Sequence, residues 1–260
     1  MKHNVIFILP ILILTSCDKS DIPCVPSDLQ KHVITCYPFS NGSLNDVSGN
    51  DFHLVNPNNI QPISDRDGNP SCAYAFDGSS RQFLSRHGRF TDYFHKSNFS
   101  ISLWYKPLGV RDAGDYELIL GRVSKFDLEI PSKYGEWSIG LYDCRRAVFS
   151  INRKSQWDNF HPLWFSDPFG NKCELESAAL SNLWHHLIVT FDGKKRTLYK
   201  NGIAASPIQE SSGSGSMSRN LGDLVIGRGF NGVIDDIMIF DKVLDQNEVN
   251  QLYNLTPCCL

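Results

Sequence analysis

The segment from Trp184 to Tyr253 constrains the fold most, because in it short apolar strands alternate with tight-turn dipeptides. Residues 185–191 alternate between two faces and include β-branched side chains, a pattern typical of a β-strand. The dipeptides Asp192-Gly193 and Asn201-Gly202 favour the positive φ angles of hairpin turns. A return strand from Thr197 to Lys200 lies between them, so the segment predicts an antiparallel meander.

The same alternation predicts strands elsewhere, at Phe99 to Pro107, Leu224 to Ile226 and Val233 to Phe240. One helical pattern stands out near the C-terminus. Asp245 and Glu248 have the spacing of a capping box, which predicts a two-turn helix. With 260 residues the chain is long enough for one large all-β domain.

The order of these motifs resembles the laminin-G-like jelly rolls of the concanavalin A-like lectin and glucanase superfamily. Two earlier blocks add to the resemblance, one from Tyr37 to Asn50 and one from Asp65 to Gly78. The resemblance implies an all-β jelly-roll sandwich of two antiparallel sheets with a short C-terminal helix, formed by residues 32–260. The family pattern becomes weak between about residues 125 and 181, where aromatic side chains are frequent.

The N-terminus resembles that of a bacterial surface lipoprotein of the Bacteroidetes type. Residues 1–16 have the basic start and the ten-residue apolar run of a signal peptide, which is too short to span a bilayer. Leu14-Thr15-Ser16-Cys17 resembles a lipobox, which implies cleavage before Cys17 and lipidation of its thiol. Residues 17–31 then form a tether, and the protein is expected to be anchored in the outer membrane. The alternative is an ordinary secretory signal.

Eight cysteines, less the one that carries lipid, leave seven in a compartment that permits disulfides. Cys144 and Cys173 flank the aromatic region and are candidates for one disulfide. The terminal pair Cys258-Cys259 can reach Cys24 or Cys36 if the chain ends lie together. A zinc site is the less favoured alternative, because two matching Cys-x-x-Cys pairs do not occur.

Two adjacent carboxylates, Asp235 and Asp236, interrupt an apolar strand. Because neighbouring strand residues point to opposite faces, one acid must lie in apolar surroundings, where a lone charge costs several kcal/mol. A calcium ion, Ca²⁺, would satisfy that charge through oxygen ligands. The resemblance implies Asp235 as the first ligand, with the remaining contacts from Asp77, Gly78 and Asp46. The alternative is a metal-free pairing with Arg122, Arg228 or backbone amides.

The segment from Trp157 to Phe169 places five aromatic residues among turn formers and short polar residues. Aromatic rings stack on the apolar faces of sugars, while neighbouring acids and amides bind the hydroxyls. The candidate ligand-binding residues are therefore Trp157, Asp158, Asn159, Trp164 and Phe165. The alternative is a small core that packs a long loop onto the sandwich.

Composition and motifs argue against several function classes. A formal net charge of −3 gives no electrostatic surface for nucleic acid. Glucanases need two carboxylates on either side of the scissile bond, and the nearest approach to such a motif is Asp127 with Glu129. His185 and His186 face opposite ways on a strand and cannot chelate one metal together.

The sequence therefore predicts a surface-anchored, non-catalytic module that binds a glycan or a protein partner. A glycoside hydrolase of the same superfamily and a structural accessory subunit of a surface complex are the alternatives.

Overall fold

The computed structural model describes residues 21–86, 98–109, 116–123, 137–142, 145–151, 154–158, 181–206 and 223–260. Within these ranges two antiparallel sheets pack face to face, and one helix follows the last strand. The prediction of an all-β sandwich of two antiparallel sheets with a short C-terminal helix is confirmed. Among the described residues, no helix is both long and apolar enough to cross a membrane.

The larger sheet has eight strands. In chain order these are β1 (Val33–Tyr37), β2 (Pro62–Ile63), β3 (Ala73–Asp77), β5 (Phe99–Pro107), β10 (His185–Phe191), β11 (Arg196–Lys200), β12 (Ile203–Ala204) and β14 (Asn231–Phe240). They are arranged as β12-β11-β10-β5-β14-β3-β2, and β1 pairs with the second half of β14. The strand with the paired carboxylates, β14, is therefore central to this sheet.

The smaller sheet has six strands, which are β4 (Leu84–Arg86), β6 (Glu117–Val123), β7 (Trp137–Tyr142), β8 (Arg146–Ile151), β9 (Lys154–Trp157) and β13 (Asp223–Ile226). Their order is β4-β13-β6-β7-β8-β9. The strand β9 lies in the region, residues 125–181, where the family pattern becomes weak. It pairs with β8 through the partners Val148 and Trp157, so Trp157 lies on a sheet rather than in an irregular loop.

The main core lies between the sheets. Phe99 on the larger sheet is buried against Phe149 on the smaller one, with ring centroids 6.2 Å apart, and against Phe191 at 5.8 Å. A second apolar cluster covers the outer face of the larger sheet, where Ile188 and Met238 pack against the N-terminal segment and the C-terminal helix. The larger sheet is consequently buried on both faces at its centre.

The helix α1 (Gln246–Tyr253) begins with the predicted capping box. The Asp245 carboxylate accepts hydrogen bonds from the backbone N–H groups of Asn247 and Glu248, at 2.8 and 3.0 Å. The Glu248 carboxylate accepts from the Asp245 N–H at 2.9 Å. These three hydrogen bonds satisfy amides that a helix start would otherwise leave unpaired.

Two disulfides fasten the C-terminal tail, residues 254–260, one to the N-terminal segment and one to the residue before β3. Cys258 is bonded to Cys24, one of its two predicted partners, and Cys259 to Cys72, a pairing that the sequence did not suggest. Cys36, the other predicted partner, is a buried free thiol. The predicted pair Cys144 and Cys173, the signal peptide and the lipidation site Cys17 all lie outside the described residues.

Candidate functional site

The outer face of the smaller sheet carries three aromatic rings in contact, which we call the aromatic row: Tyr116, Tyr142 and Trp157. The ring centroids of Tyr116 and Tyr142 lie 6.4 Å apart, and those of Tyr142 and Trp157 lie 5.7 Å apart. All three side chains are partly exposed. The guanidinium carbon of Arg146 lies 4.4 Å from the centroid of a Trp157 ring. The row therefore combines apolar ring faces with a fixed positive charge.

Strand alternation explains how these residues reach one face. Trp137, Ile139 and Leu141 of β7 point into the main core, so Tyr142 and Gly140 point outward. Gly140 leaves space that the row needs, because a Cβ there would lie only 2.7 Å from the Tyr116 ring carbon that carries the hydroxyl. The Tyr116 ring thus rests directly on the backbone of β7.

The Tyr116 hydroxyl is held in place by the sheet beneath it. It donates a hydrogen bond to the Ser138 Oγ at 3.0 Å. Burial raises the pKa of Tyr116 to about 12, so the hydroxyl stays protonated at neutral pH and remains a donor. Because the Tyr116 ring is already fixed, a ligand that bound to it would cost less side-chain entropy.

The structure separates the ligand-binding residues predicted from sequence. Trp157 belongs to the aromatic row, whereas the next residue, Asp158, is fully buried and forms an ion pair with the Lys200 ammonium at 2.6 Å. Its carboxylate is satisfied by that lysine, so we assign Asp158 to the scaffold. Asn159, Trp164 and Phe165 lie outside the described residues, as do Asp127 and Glu129.

Asp235 and Asp236 form a second cluster of polar residues, on the outer face of the larger sheet. The prediction that they point to opposite faces is wrong, because the pairing of β14 with β5 shifts register between Asp235 and Met238. Asp236 has a φ of 47°, and its N–H donates to the Asp235 carboxylate at 2.7 Å. This β-bulge inserts one residue and turns both carboxylates to the same side.

Arg66 supplies the positive charge for this pair. Its Nη1 donates to Asp236 at 2.6 Å and to Asp235 at 3.2 Å, and its Nη2 donates to the Leu255 carbonyl at 3.1 Å. Of the metal-free partners predicted from sequence, Arg122 lies on β6 and Arg228 two residues after β13, both in the smaller sheet. A backbone amide does contribute, because the Cys258 N–H donates to the Asp236 carboxylate at 3.2 Å. An arginine before β3 therefore neutralises part of the charge.

Aromatic rings cover the Arg66 guanidinium. Its central carbon lies 4.4 Å from the centroid of a Trp104 ring, and Trp104 in turn stacks on Tyr253 of α1, with centroids 5.8 Å apart. Adjacent histidines separate as predicted: His186 lies beside Trp104, while His185 contacts Tyr105.

The histidine in this cluster is neutral. Burial, followed by the charge of Arg66, lowers the pKa of His186 to about 3, and its Nε2 shares a hydrogen bond with the Ser102 hydroxyl at 2.9 Å. The cavity beside these residues is small. The centre of a water molecule can move within a volume of about 10 Å³, so the cavity holds about one water molecule. A sugar ring does not fit there, so this cluster belongs to the scaffold.

The four residues predicted as calcium ligands do not fit one site. Asp77 pairs with Asn231, four residues before Asp235 on β14, which separates the two acids by about 13 Å along the strand. Asp77 is exposed and accepts a hydrogen bond from the Ser79 N–H, close to Gly78. Calcium requires its ligands within about 2.6 Å of the ion.

Asp46 is engaged elsewhere as well. Its carboxylate accepts hydrogen bonds from the N–H groups of Cys36, Ser48 and Phe52, at 3.0, 3.0 and 3.1 Å, and from the Ser48 hydroxyl at 2.8 Å. These four donors satisfy a buried carboxylate without a metal.

Calcium should therefore leave stability unchanged. The sequence argument predicts a calcium-dependent rise in melting temperature that is lost in Asp235→Ala. We expect instead equal melting temperatures with calcium and with EDTA, because Arg66 already contacts both acids. Differential scanning calorimetry measures this directly, and a rise with calcium that the substitution removes would contradict the expectation.

Comparison with known proteins agrees with the architecture. Residues 77–250, more than half of the chain, match the family model Laminin_G_3, described as concanavalin A-like lectin/glucanases superfamily. No curated protein matches the sequence.

Several solved structures with a similar fold come from bacterial toxins. One is from botulinum neurotoxin type C, whose way into cells is dependent upon interaction with two ganglioside molecules (18% identity, TM-score 0.62, 88% of this chain and 52% of that one). Another is the binding domain of botulinum neurotoxin DC in complex with rat synaptotagmin II (19% identity, TM-score 0.61, 87% of this chain and 52% of that one). A third is the binding domain of Paraclostridial Mosquitocidal Protein 1 (21% identity, TM-score 0.56, 86% of this chain and 52% of that one). The chain spans about half the length of each.

Proposed function

Because the chain belongs to the Laminin_G_3 family of the concanavalin A-like lectin/glucanase superfamily, we propose that it is a non-catalytic module that binds a glycan through the aromatic row. The row itself carries this proposal. Partly exposed Tyr142 and Trp157 rings offer apolar faces to the C–H side of a pyranose. Behind them, the buried Arg146 guanidinium lies against the Trp157 ring, and a hydrogen bond to Ser138 fixes the Tyr116 ring.

Three buried carboxylates among the described residues belong to the scaffold rather than to a catalytic pair. Glu117 pairs with Arg145 at 3.1 Å, Asp158 pairs with Lys200, and Asp235 pairs with Arg66. A glycosidase needs two carboxyl groups free to face the scissile bond. Each of these three acids instead has a cationic partner within the scaffold.

The similar toxin domains support the same class of role. Botulinum neurotoxin type C depends on gangliosides, which are glycolipids, and the DC type is seen with a protein receptor. By analogy, we propose that this chain also recognises a glycan on the surface of another cell or molecule. With the lipid anchor expected at Cys17, the module would be displayed on the outer membrane and would bind its ligand there.

Replacing Trp157 with alanine should weaken glycan binding about tenfold or more. The change removes both the apolar area that the ring buries against the sugar and a stacking contribution of about 0.5–1.5 kcal/mol, and about 1.4 kcal/mol corresponds to a factor of ten. A glycan array identifies the ligand, and titration calorimetry with the best glycan gives the dissociation constants of both proteins. Loss of affinity with an unchanged melting temperature would place the ligand on the row.

Trp184→Ala is the matched control. Trp184 is also partly exposed, lies directly before β10 and has a cation, the Lys106 ammonium, 5.1 Å from a ring centroid. It belongs to the other sheet, so its removal should leave glycan affinity unchanged. Equal affinity of the parent and Trp157→Ala would exclude the row as the site. Failure of the parent to bind any glycan would refute the function.

A further inference from the structure

Three potential metal ligands meet where the C-terminal tail joins the larger sheet. A carboxylate oxygen of Asp65 and the sulfur atoms of Cys72 and Cys259 all lie within 4.8 Å of one another. Asp65 and Cys72 are buried, and Cys259 is partly exposed. The two cysteines are 187 residues apart in sequence, which is why spacing alone could not reveal the group.

The carboxylate is oriented before any metal arrives. Asp65 accepts hydrogen bonds from the N–H groups of Asp67 and Asn69, both at 2.9 Å, and from the Asn69 side-chain amide at 2.8 Å. Such surrounding hydrogen bonds orient a ligand and increase metal affinity. The Cys72 backbone is also fixed, because its N–H donates to the Ile63 carbonyl at 3.0 Å.

Non-covalent contacts hold the tail independently of the disulfides. The Cys258 N–H donates to the Asp236 carboxylate at 3.2 Å, and the Leu260 N–H donates to the Ser40 Oγ at 2.9 Å. Because these contacts flank Cys259 on both sides, reduction of its disulfide leaves the thiol close to Cys72 and Asp65.

The surroundings also favour a cation. Burial raises the pKa of both Asp235 and Asp236, and the nearby negative charge of Asp65 contributes in the same direction. Among the residues that the structure describes, Arg66 is the cation in contact with this acid pair. Two additional thiolates would increase the negative charge further, which a divalent ion would offset.

We propose that Asp65, Cys72 and Cys259 form a binding site for zinc, or another thiophilic divalent cation, when the Cys72–Cys259 disulfide is reduced. Two thiolates and one carboxylate supply three ligands of a tetrahedral site, and water takes the fourth position. Tetrahedral zinc requires its sulfur ligands to lie about 3.8 Å apart. The Cα atoms of Cys72 and Cys259 lie 5.6 Å apart, so side-chain rotation can give this separation once the bond between the two sulfurs is reduced.

The chemistry balances with a phosphine as reductant. The phosphine takes up the oxygen of one water molecule and becomes a phosphine oxide, while the disulfide gains two electrons and the two protons of that water. Zinc then replaces those two protons on the thiols and releases them to solution. The tail is thereby held either by a covalent bond or by a metal, according to redox conditions. This site is separate from the aromatic row.

Zinc titration of the full chain, reduced by a water-soluble phosphine, tests the proposal. We expect tight binding with release of protons, and a rise in melting temperature, because a ligand specific for the folded state stabilises it. Asp65→Asn should weaken binding about tenfold or more, since it replaces a charged ligand by a neutral one. The asparagine retains an acceptor for two of the three hydrogen bonds, so the fold is preserved.

Cys72→Ser should abolish binding at this site, and Cys24→Ser is the matched control that should retain it. In the oxidised parent, zinc should leave the melting temperature unchanged. Equal zinc affinity in the reduced parent and in Cys72→Ser would show that the metal binds at other cysteines and would overturn the proposal. An unchanged affinity in Asp65→Asn, or no zinc binding by the reduced parent, would overturn it as well.

Discussion

Replacing Arg66 with methionine should lower the free energy of unfolding by about 3–5 kcal/mol, the cost of leaving a buried ion pair without one partner. The guanidinium contacts both Asp235 and Asp236, whose side chains are 1% and 4% exposed. It also donates to the Leu255 carbonyl, so the substitution removes a contact to the C-terminal tail. Urea unfolding measures the difference.

The loss should depend on pH in a defined direction. Burial, with repulsion between the acids, already raises the pKa of Asp235, and Arg66 opposes that rise. Without Arg66 the folded-state pKa values rise further above those of the unfolded chain. An acid whose pKa is higher in the folded than in the unfolded chain destabilises the protein when it ionises. The stability lost in Arg66→Met is therefore largest above the folded-state pKa, and it decreases as the pH falls towards the unfolded-state pKa.

The triple variant Arg66→Met, Asp235→Asn, Asp236→Asn separates charge from packing. It removes all three charges, so it should recover part of the stability that Arg66→Met alone loses. Equal stability of the parent and Arg66→Met at neutral pH would contradict the assignment of Arg66 as the partner of the acids.

Removing both disulfides, by Cys24→Ser together with Cys72→Ser, should also have a large effect. Each disulfide typically contributes about 2–4 kcal/mol, and here they close loops with sequence separations of 234 and 187. Because Cys258 and Cys259 are adjacent, either bond alone keeps the tail close to the sheet. We therefore expect each single substitution to cost less than half of the double one.

Calorimetry of the two single variants and the double variant checks this. The control is Cys36→Ala, which removes a buried free thiol, keeps both disulfides and should cost about 1 kcal/mol. Strict additivity of the two single losses would contradict the shared role of the tail.

Local patterns were sufficient for much of the architecture. Alternation from His185 to Phe191 and the turn at Asp192-Gly193 predict a hairpin that the structure contains, with Leu187 opposite Lys200. The capping box at Asp245 predicts α1. Each of these features depends on residues that are close together in the sequence, where periodicity and turn chemistry are informative.

Features that depend on distant residues were not predictable in the same way. A β-bulge at Asp236 reverses the expected alternation, and nothing in the strand's composition distinguishes a bulged pair from a regular one. Arg66 lies 170 residues before Asp236, so its role follows from sheet order alone. The aromatic row likewise depends on the pairing of β7, β8 and β9, which brings Tyr142 beside Trp157.

The bond between Cys24 and Cys258 makes a covalent ring of nearly all the described chain. A protease that cuts one surface loop within this ring linearises it without releasing a fragment. The two pieces separate only after a second cut or after reduction. The ring therefore preserves the attachment of the sandwich to its N-terminal segment even after the backbone has been broken once.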